Sequence, residues 1–176
     1  MDAAGPIAIA ASVLVALGLM LLLSARTVGP NERLVVFRMG RTNRSLVRGP
    51  GRTWLLPLVD RAAVVDMEER RFDLPGLEAT TVDGQRIAAD VAIRLLVVDP
   101  FLNVVNVAWM DGAVPELVRQ KYAGAAAART LDEARTGQVL ENDMRQPIDA
   151  VLAHWGARCS SLEVRGIGHA GATPPA

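Results

Sequence analysis

The stretch Arg86–Val98, RIAADVAIRLLVV, alternates apolar and polar positions with a period of two. One face would carry Ile87, Ala89, Val91, Ile93, Leu95 and Val97, and the other Arg86, Ala88, Asp90, Ala92 and Arg94. Alternation over this length is typical of a β-strand with one buried face and one face in water. It therefore predicts a long, half-buried strand, from which the rest of the chain is interpreted.

Further strands are predicted on the amino-terminal side of this stretch. Asp83-Gly84 separates it from Leu77–Val82, and a two-residue Asp-Gly turn between β-rich segments predicts a hairpin. Arg33–Met39 and Ala63–Met67 are rich in β-branched or aromatic residues, which favours strands. The apolar run Trp54–Val59 is broken by a proline and is too short to span a membrane.

On the carboxyl-terminal side the pattern becomes helical. Asp99-Pro100 supplies an N-cap and a first helical position, which predicts a short helix to about Trp109. Asp111-Gly112 is expected to interrupt it. A second helix is predicted over Val114–Arg129, where the alanine-rich sequence has high helix propensity and small side chains.

The last part of the chain predicts a third helix and a final strand. Val139–Trp155 is amphipathic, and Pro147 inside it predicts a kink or a break into two helices. Ser161–Ile167 is a strand candidate, and residues 168–176 are expected to form a disordered tail. The order of strands, helices and final strand predicts an α+β domain with helices packed on one side of a partly antiparallel sheet.

Residues 7–25 form an uncharged run with ten Leu, Ile or Val residues and no Pro. As a helix the run rises roughly 28 Å, about the thickness of a bilayer's hydrocarbon core. We therefore expect a transmembrane helix after a short lead of residues 1–6. A cleaved signal peptide and a buried soluble helix are alternatives, but the lead has no Lys or Arg and the run is apolar on every face. A shallow hairpin that does not cross the membrane also stays open.

The residues after this run are strongly basic. Seven arginines and one acid lie between Arg26 and Arg52. Because cytoplasmic flanks carry the Lys/Arg excess, we expect a single-pass protein of the cell membrane with its main domain in the cytoplasm. The arginines either determine topology alone or also contact anionic lipid.

An interfacial position is predicted for two arginines and one apolar segment, since Trp prefers the interface and a Pro-broken apolar loop enters headgroups. The residues assigned to this membrane interface are Arg26, Arg33, Trp54, Leu55 and Leu56. For the three apolar residues, an ordinary core strand is the alternative.

A second candidate surface is a charged segment on an extended ribbon. Its residues are Asp66, Glu68, Glu69, Arg70 and Arg71. One interpretation is a solvated edge strand that its charges protect from aggregation. The other is a contact for self-association or for a partner, built from alternating charges.

Composition and motifs argue against an enzyme. The 176 residues carry 19 basic and 19 acidic side chains, so the basic excess that nucleic-acid binding needs is absent. Cys159 is the single cysteine, and His154 and His169 are not joined by a cluster of metal-ligating residues. Phosphate-loop, dinucleotide-binding and zinc-protease motifs are also missing. We expect no catalytic site, cofactor, metal or nucleic-acid partner; a thiol enzyme using Cys159 is the weakest rival.

Several short motifs occur in the order found in one family. They are Asn31–Arg41, Gly49-Pro50-Gly51, Leu55–Asp60, Val65-Asp66-Met67, Phe72–Pro75, Thr80–Gly84, Val91–Arg94, Val98-Asp99-Pro100, Trp155–Arg158 and Leu162–Arg165. In order and spacing the chain resembles the stomatin/prohibitin/flotillin (SPFH, band 7) family, and most closely the bacterial stomatin-like slipins. The resemblance covers about residues 28–167.

The resemblance implies a non-enzymatic membrane scaffold that forms homo-oligomers, organises lipid microdomains and modulates membrane proteases or channels. Bacterial relatives often work beside a membrane protein of the NfeD type. The family pattern continues into a long coiled coil, whereas the tail here has no heptads, so smaller oligomers are expected. A monomeric adaptor that docks onto a membrane protease or transporter, through Val114–Arg129 or the charged segment, is the alternative.

Overall fold

The structure is a computed structural model that describes residues 11–16, 18–20, 24–107 and 110–169. The chain divides into two compact units, residues 1–66 (unit 1) and residues 67–176 (unit 2). Each unit has its own strands, and each is described by itself.

Residues 11–16 and 18–20 are helical. Within the part of the chain that the structure describes, no helix is both long enough and apolar enough to cross a membrane. Residues 7–10, 17 and 21–23 of the predicted transmembrane helix, and the whole lead of residues 1–6, lie outside the described residues. The predicted helix end is corrected, because Ala25 already belongs to a strand.

Unit 1 contains two small antiparallel sheets. In the first, β1 (Ala25–Val28) pairs with β4 (Gly51–Trp54). In the second, the central strand is β2 (Glu32–Arg38), with β3 (Val47–Arg48) on one side and β5 (Asp60–Asp66) on the other. A 3-10 turn, Arg44–Leu46, precedes β3. Val28, Leu34 and Val36 form the core, and Leu46 and Leu55 pack against it.

Unit 2 is built on a three-stranded antiparallel sheet whose central strand is the alternating stretch. The strands are β6 (Arg70–Thr80), β7 (Arg86–Val97) and β8 (Ala157–His169), in the order β6-β7-β8. All six apolar residues predicted to share one face of β7 are buried, and every residue between them is less buried. The α+β class and the half-buried strand are therefore confirmed.

Four helices of unit 2 are described. They are α1 (Pro100–Asn106), α2 (Met110–Ala127), α3 (Leu131–Ala134) and α4 (Gly137–His154). Helix α2 packs on β6 and on α4, and α4 packs on β8. Their inward side chains, including Tyr122, Leu140, Met144 and Ile148, are fully buried. Burial of this apolar face is the main stabilising contribution within unit 2.

The structure corrects several predicted boundaries. The turn after β6 spans residues 81–85 rather than two residues, since Thr81 and Gln85 close it through a hydrogen bond of 2.9 Å. Asp111-Gly112 lies inside α2 and does not interrupt a helix. Helix α4 continues through Pro147 without breaking into two.

The final strand is longer than predicted. It begins at Ala157 and continues to His169, so the first two residues of the expected tail are paired with β7. Residues 170–176 of that tail lie outside the described residues.

Candidate functional site

The first feature of the candidate site is a strand pairing. Strand β1, which follows the apolar run, pairs with β4, which leads into the predicted interfacial loop. In the ladder between β1 and β4, Ala25 lies opposite Trp54 and Arg26 opposite Thr53. The ladder is extended by the Leu55 amide, which donates to the Ser24 carbonyl at 2.9 Å. The chain therefore leaves the apolar run directly beside Trp54.

A single carboxylate organises the adjoining loop. Asp60 accepts two hydrogen bonds from the Arg38 guanidinium, at 2.9 and 3.1 Å, and one from the Leu56 amide at 3.0 Å. Its side chain is 1% exposed. The bonds from Arg38, followed by the bond from Leu56, hold the pKa of Asp60 below its usual value. The Met39 amide donates to the Val59 carbonyl at 3.1 Å, which fastens the β2 turn to the same loop.

These hydrogen bonds gather exposed apolar side chains at one edge of unit 1, which we call the loop edge. Its members, with exposed fractions where they are partial, are Met39 (83%), Trp54 (62%), Leu56 (48%), Val59 (38%) and the fully exposed Leu58. Single exposed apolar residues are ordinary, but a group on connected loops is typical of an interaction surface. Trp, Leu and Met are side chains that enter the boundary between headgroups and acyl chains.

The predicted interfacial residues do not all reach the loop edge. Trp54 and Leu56 belong to it, and Arg26 lies beside it. Leu55 points into unit 1, where it packs against the core. Arg33 lies about 17 Å along β2 from Arg38, at 3.3–3.4 Å per residue. Its guanidinium donates to the carbonyls of Glu32, at 2.8 Å, and of Pro30, at 3.4 Å.

Sequence reasoning missed three members of the loop edge. Leu58 and Val59 end the apolar run after its proline, and Met39 ends a predicted strand, beside a turn. Such residues carry no periodic signal. The proline in the apolar run was a usable signal for Leu58 and Val59, because it indicates that the residues after Pro57 lie in a loop.

The charged segment is not one continuous ribbon. Asp66 ends β5, residues 67–69 lie outside the strands, and Arg70 begins β6. Because β6 is at the edge of its sheet, Arg70 and Arg71 do lie on an edge strand.

Glu69, Arg70 and Arg71 each form an ion pair within the chain. Their pairs are Glu69 with Arg94 at 3.8 Å, Arg70 with Asp111 at 3.3 Å and Arg71 with Asp73 at 2.8 Å. All six side chains are exposed, so each pair is worth little in stability. The charges stay accessible to another molecule.

The residues considered for chemistry do not come together. Cys159 is buried, and its thiol donates to the Ser161 carbonyl at 3.3 Å. Burial, helped by the nearby Asp149 carboxylate, raises the pKa of the thiol to about 11, so it is protonated at neutral pH. Among the described residues, no three His, Cys, Asp or Glu side chains are grouped so as to hold a metal ion.

Comparison with known proteins gives one family. The model of the SPFH domain / Band 7 family matches residues 26–170. Mouse stomatin is 26% identical over 171 residues, which is 95% of this chain and 60% of the relative. The stomatin homolog PH1511 of Pyrococcus horikoshii is 27% identical over 158 residues, covering 89% of this chain and 59% of the relative.

A third relative, Stomatin-3 of Caenorhabditis elegans, is 26% identical over 137 residues, covering 77% of this chain and 51% of the relative. The chain thus spans about half to three fifths of the length of these three curated relatives. The match of the family model covers well over half of the chain and includes both units. The chain belongs to the SPFH domain / Band 7 family.

Proposed function

We propose that this chain is a non-enzymatic scaffold of the cell membrane, with its main domain on the cytoplasmic side. The loop edge of unit 1 rests on the bilayer, and copies of the chain self-associate. The assembly organises membrane microdomains or regulates membrane proteins such as proteases or channels, with a membrane protease or an NfeD-type protein as partner. Family membership supports the scaffold role.

The loop edge is the observation that carries the membrane part of the proposal. Full burial of a Leu or Met side chain is worth about 1.5–3 kcal/mol, so several partly inserted side chains hold unit 1 against a bilayer. The apolar run of residues 7–25 supplies the anchor. It ends at Ala25, which lies opposite Trp54 in the ladder, so the anchor is connected directly to the loop edge.

The test is extraction of the full chain from native membranes. We expect the chain to pellet with membranes after a carbonate wash, and its particles in mild detergent to contain several copies. Recovery in the aqueous fraction would contradict the membrane part. A monomer at high concentration in mild detergent would contradict the scaffold part.

A monomeric adaptor is the second candidate, and a cleft on unit 2 favours it. The cleft, of about 520 Å³, lies between α2 and α4. Gly124 and Ala125 of α2, and Ala128 just after its end, line it together with the Arg129–Asp143 ion pair. Small side chains allow another helix to approach closely, as a docked membrane partner would require.

Charge reversal in the charged segment separates the two candidates. The variant E69R/R71E reverses two exposed charges whose pairs contribute little to folding. Loss of self-association with unchanged co-purifying proteins supports the scaffold. If the chain is monomeric in both the wild type and the variant, and the variant loses one co-purifying membrane protein, the result supports the adaptor.

A further inference from the structure

The arginines of the two units differ in whether they have ion-pair partners. Eight of the ten arginines of residues 67–169 form ion pairs. Residues 24–66 contain eight arginines and only three acids. Within the described part of unit 1, six arginines have no carboxylate partner: Arg26, Arg33, Arg41, Arg48, Arg52 and Arg61.

Three of these six lie next to the loop edge. Arg26 adjoins the Ala25–Trp54 pair. Arg41 closes the turn that carries Met39, where it exchanges backbone hydrogen bonds of 2.8 and 3.0 Å with Arg38. Arg61 follows Asp60 at the end of the Leu58 loop. All three side chains are exposed, so apolar tips and unpaired cations occur together.

We infer that the loop edge is a binding surface for anionic phospholipids, with Arg26, Arg41 and Arg61 as the headgroup ligands. The inference rests on the proposed membrane contact and adds the lipid class to it. A guanidinium presents a planar fork of donors that matches phosphate oxygens and retains its charge at any physiological pH. Arg38 is not assigned as a ligand, because its Nε and Nη2 both donate to Asp60, which offsets its charge.

A bilayer fits this surface better than a nucleic acid does. Leu56, Leu58 and Met39 have no role on a phosphate backbone, but they insert between acyl chains when cations hold the headgroups. Residues 67–169 carry fifteen acids against eleven basic side chains, and this excess opposes binding along a long polyanion. The basic charge is confined to the unit that carries the apolar tips.

The test measures lipid selectivity of the full chain reconstituted in phosphatidylcholine vesicles. Spin-labelled phosphatidylglycerol or spin-labelled phosphatidylcholine is added, and the fraction whose motion the protein restricts is recorded at low and high salt. We expect selectivity for phosphatidylglycerol that weakens with salt. In R26Q/R41Q/R61Q it falls by at least about fivefold, the contribution of one cation near an anionic surface.

Two matched variants serve as controls. R119Q/R135Q/R145Q removes the same number of charges from exposed positions of unit 2, two within helices and one just after α3, and should keep the selectivity. R26K/R41K/R61K keeps the charge and should retain most of the selectivity. A circular dichroism spectrum of R26Q/R41Q/R61Q that matches the wild type shows that the glutamine variant keeps its fold. Equal losses in both glutamine variants would overturn the inference.

The outcomes distinguish this inference from the proposed function. If the full chain leaves the vesicles altogether, the proposed membrane contact fails and the inference fails with it. If the chain stays with vesicles but restricts both lipids equally, only the inference is overturned. Binding to duplex DNA or to inorganic phosphate that R26Q/R41Q/R61Q abolishes, without lipid selectivity, also overturns it.

Discussion

Met39 and Leu58 place large apolar side chains on backbone that usually belongs to glycine. Their φ angles are 50° and 71°, in the left-handed region. A non-glycine residue in this region costs on the order of 1–3 kcal/mol, so the surrounding structure must impose it. Here the Met39–Val59 hydrogen bond and the bonds of Asp60 hold both turns. This backbone conformation holds the apolar side chains of Met39 and Leu58 in solvent, which agrees with a role of the loop edge as an interaction surface.

Gly156 should be the least replaceable glycine among those whose surroundings are described. It has φ of 69°, and an added Cβ would lie 2.3 Å from the Asp99 carbonyl oxygen and 2.9 Å from the Leu102 Cβ. G156A should therefore cost about 3–5 kcal/mol of unfolding free energy, from backbone strain and overpacking together. Denaturant unfolding of the full chain in detergent, followed by circular dichroism, measures this loss.

Gly124 supplies the control for that prediction. A Cβ added there meets nothing within 4 Å, and the residue lies inside helix α2. G124A should stabilise the chain by about 0.4–1 kcal/mol, because alanine loses less conformational freedom in a helix. Similar effects from both substitutions would show that the packing around Gly156 is looser than described.

Asp60 gives a prediction that depends on pH. Its pKa is lowered in the folded state, so its contribution to stability is present above the ordinary value of about 4 and is lost as pH falls through the folded-state pKa. D60N should cost about 1–2 kcal/mol at neutral pH, with the lower end favoured because Arg38 is half exposed. The stability difference from the wild type should close on acidification. A difference that stays constant down to low pH would show that ionisation of Asp60 does not matter.

At the scale of elements, the two edges of the unit 2 sheet are protected from pairing with other strands in different ways. The Val164 amide of β8 donates to Glu141 at 2.8 Å, and the Cys159 amide donates to Asp149 at 3.3 Å. Both carboxylates project from α4, which thereby covers this edge. At the other edge, Pro75 and the bulge between Leu74 and Leu77 interrupt β6. Both arrangements limit pairing with foreign strands.

Removal of the two carboxylates should weaken β8. E141A/D149A leaves two strand amides without their acceptors, and each lost bond should cost about 1–3 kcal/mol. Unfolding free energy and light scattering on warming measure the stability and the aggregation that an open edge favours. E116A, which removes an exposed acid of α2, is the control and should change neither. Unchanged scattering together with unchanged stability in E141A/D149A would show that these two carboxylates do not protect the β8 edge.

The elements were predictable where periodicity was strong. The alternation from Ile87 to Val97 and the capping signal at Asp99-Pro100 both predicted what the structure has. Turn-forming residues gave a wrong prediction where tertiary packing determines the structure. Asp111-Gly112 is helical because α2 packs on β6 and α4. The hairpin turn is wider than two residues because Thr81 and Asp83 form their own hydrogen-bonded loop.

The candidate site was only half predictable for a related reason. Trp54 and Leu56 stood out in the sequence as part of an apolar run. The inward turn of Leu55 and the outward positions of Met39 and Leu58 depend on backbone angles and on bonds to Asp60. The bonds between Arg38 and Asp60 join residues 22 positions apart, so no local pattern encodes them.

At the scale of the whole molecule, the net charge of zero is the sum of two parts with opposite charge. Unit 1 is basic over its described residues and carries the loop edge, whereas residues 67–169 are acidic and form mostly internal ion pairs. Overall charge therefore says little about partners, and charge per unit says more. The division agrees with the proposed membrane contact of unit 1.

The most direct test of this account is the depth of Trp54 in a bilayer. In the full chain carrying W109F/W155F, Trp54 is the single tryptophan, and its fluorescence is measured with brominated lipids and with aqueous iodide. L58D should reduce quenching by brominated lipid, and V82D, at an exposed apolar position of unit 2, should not. We expect quenching by lipids brominated near the headgroup and protection from iodide. Full quenching by iodide with none from brominated lipid would contradict the proposed membrane contact.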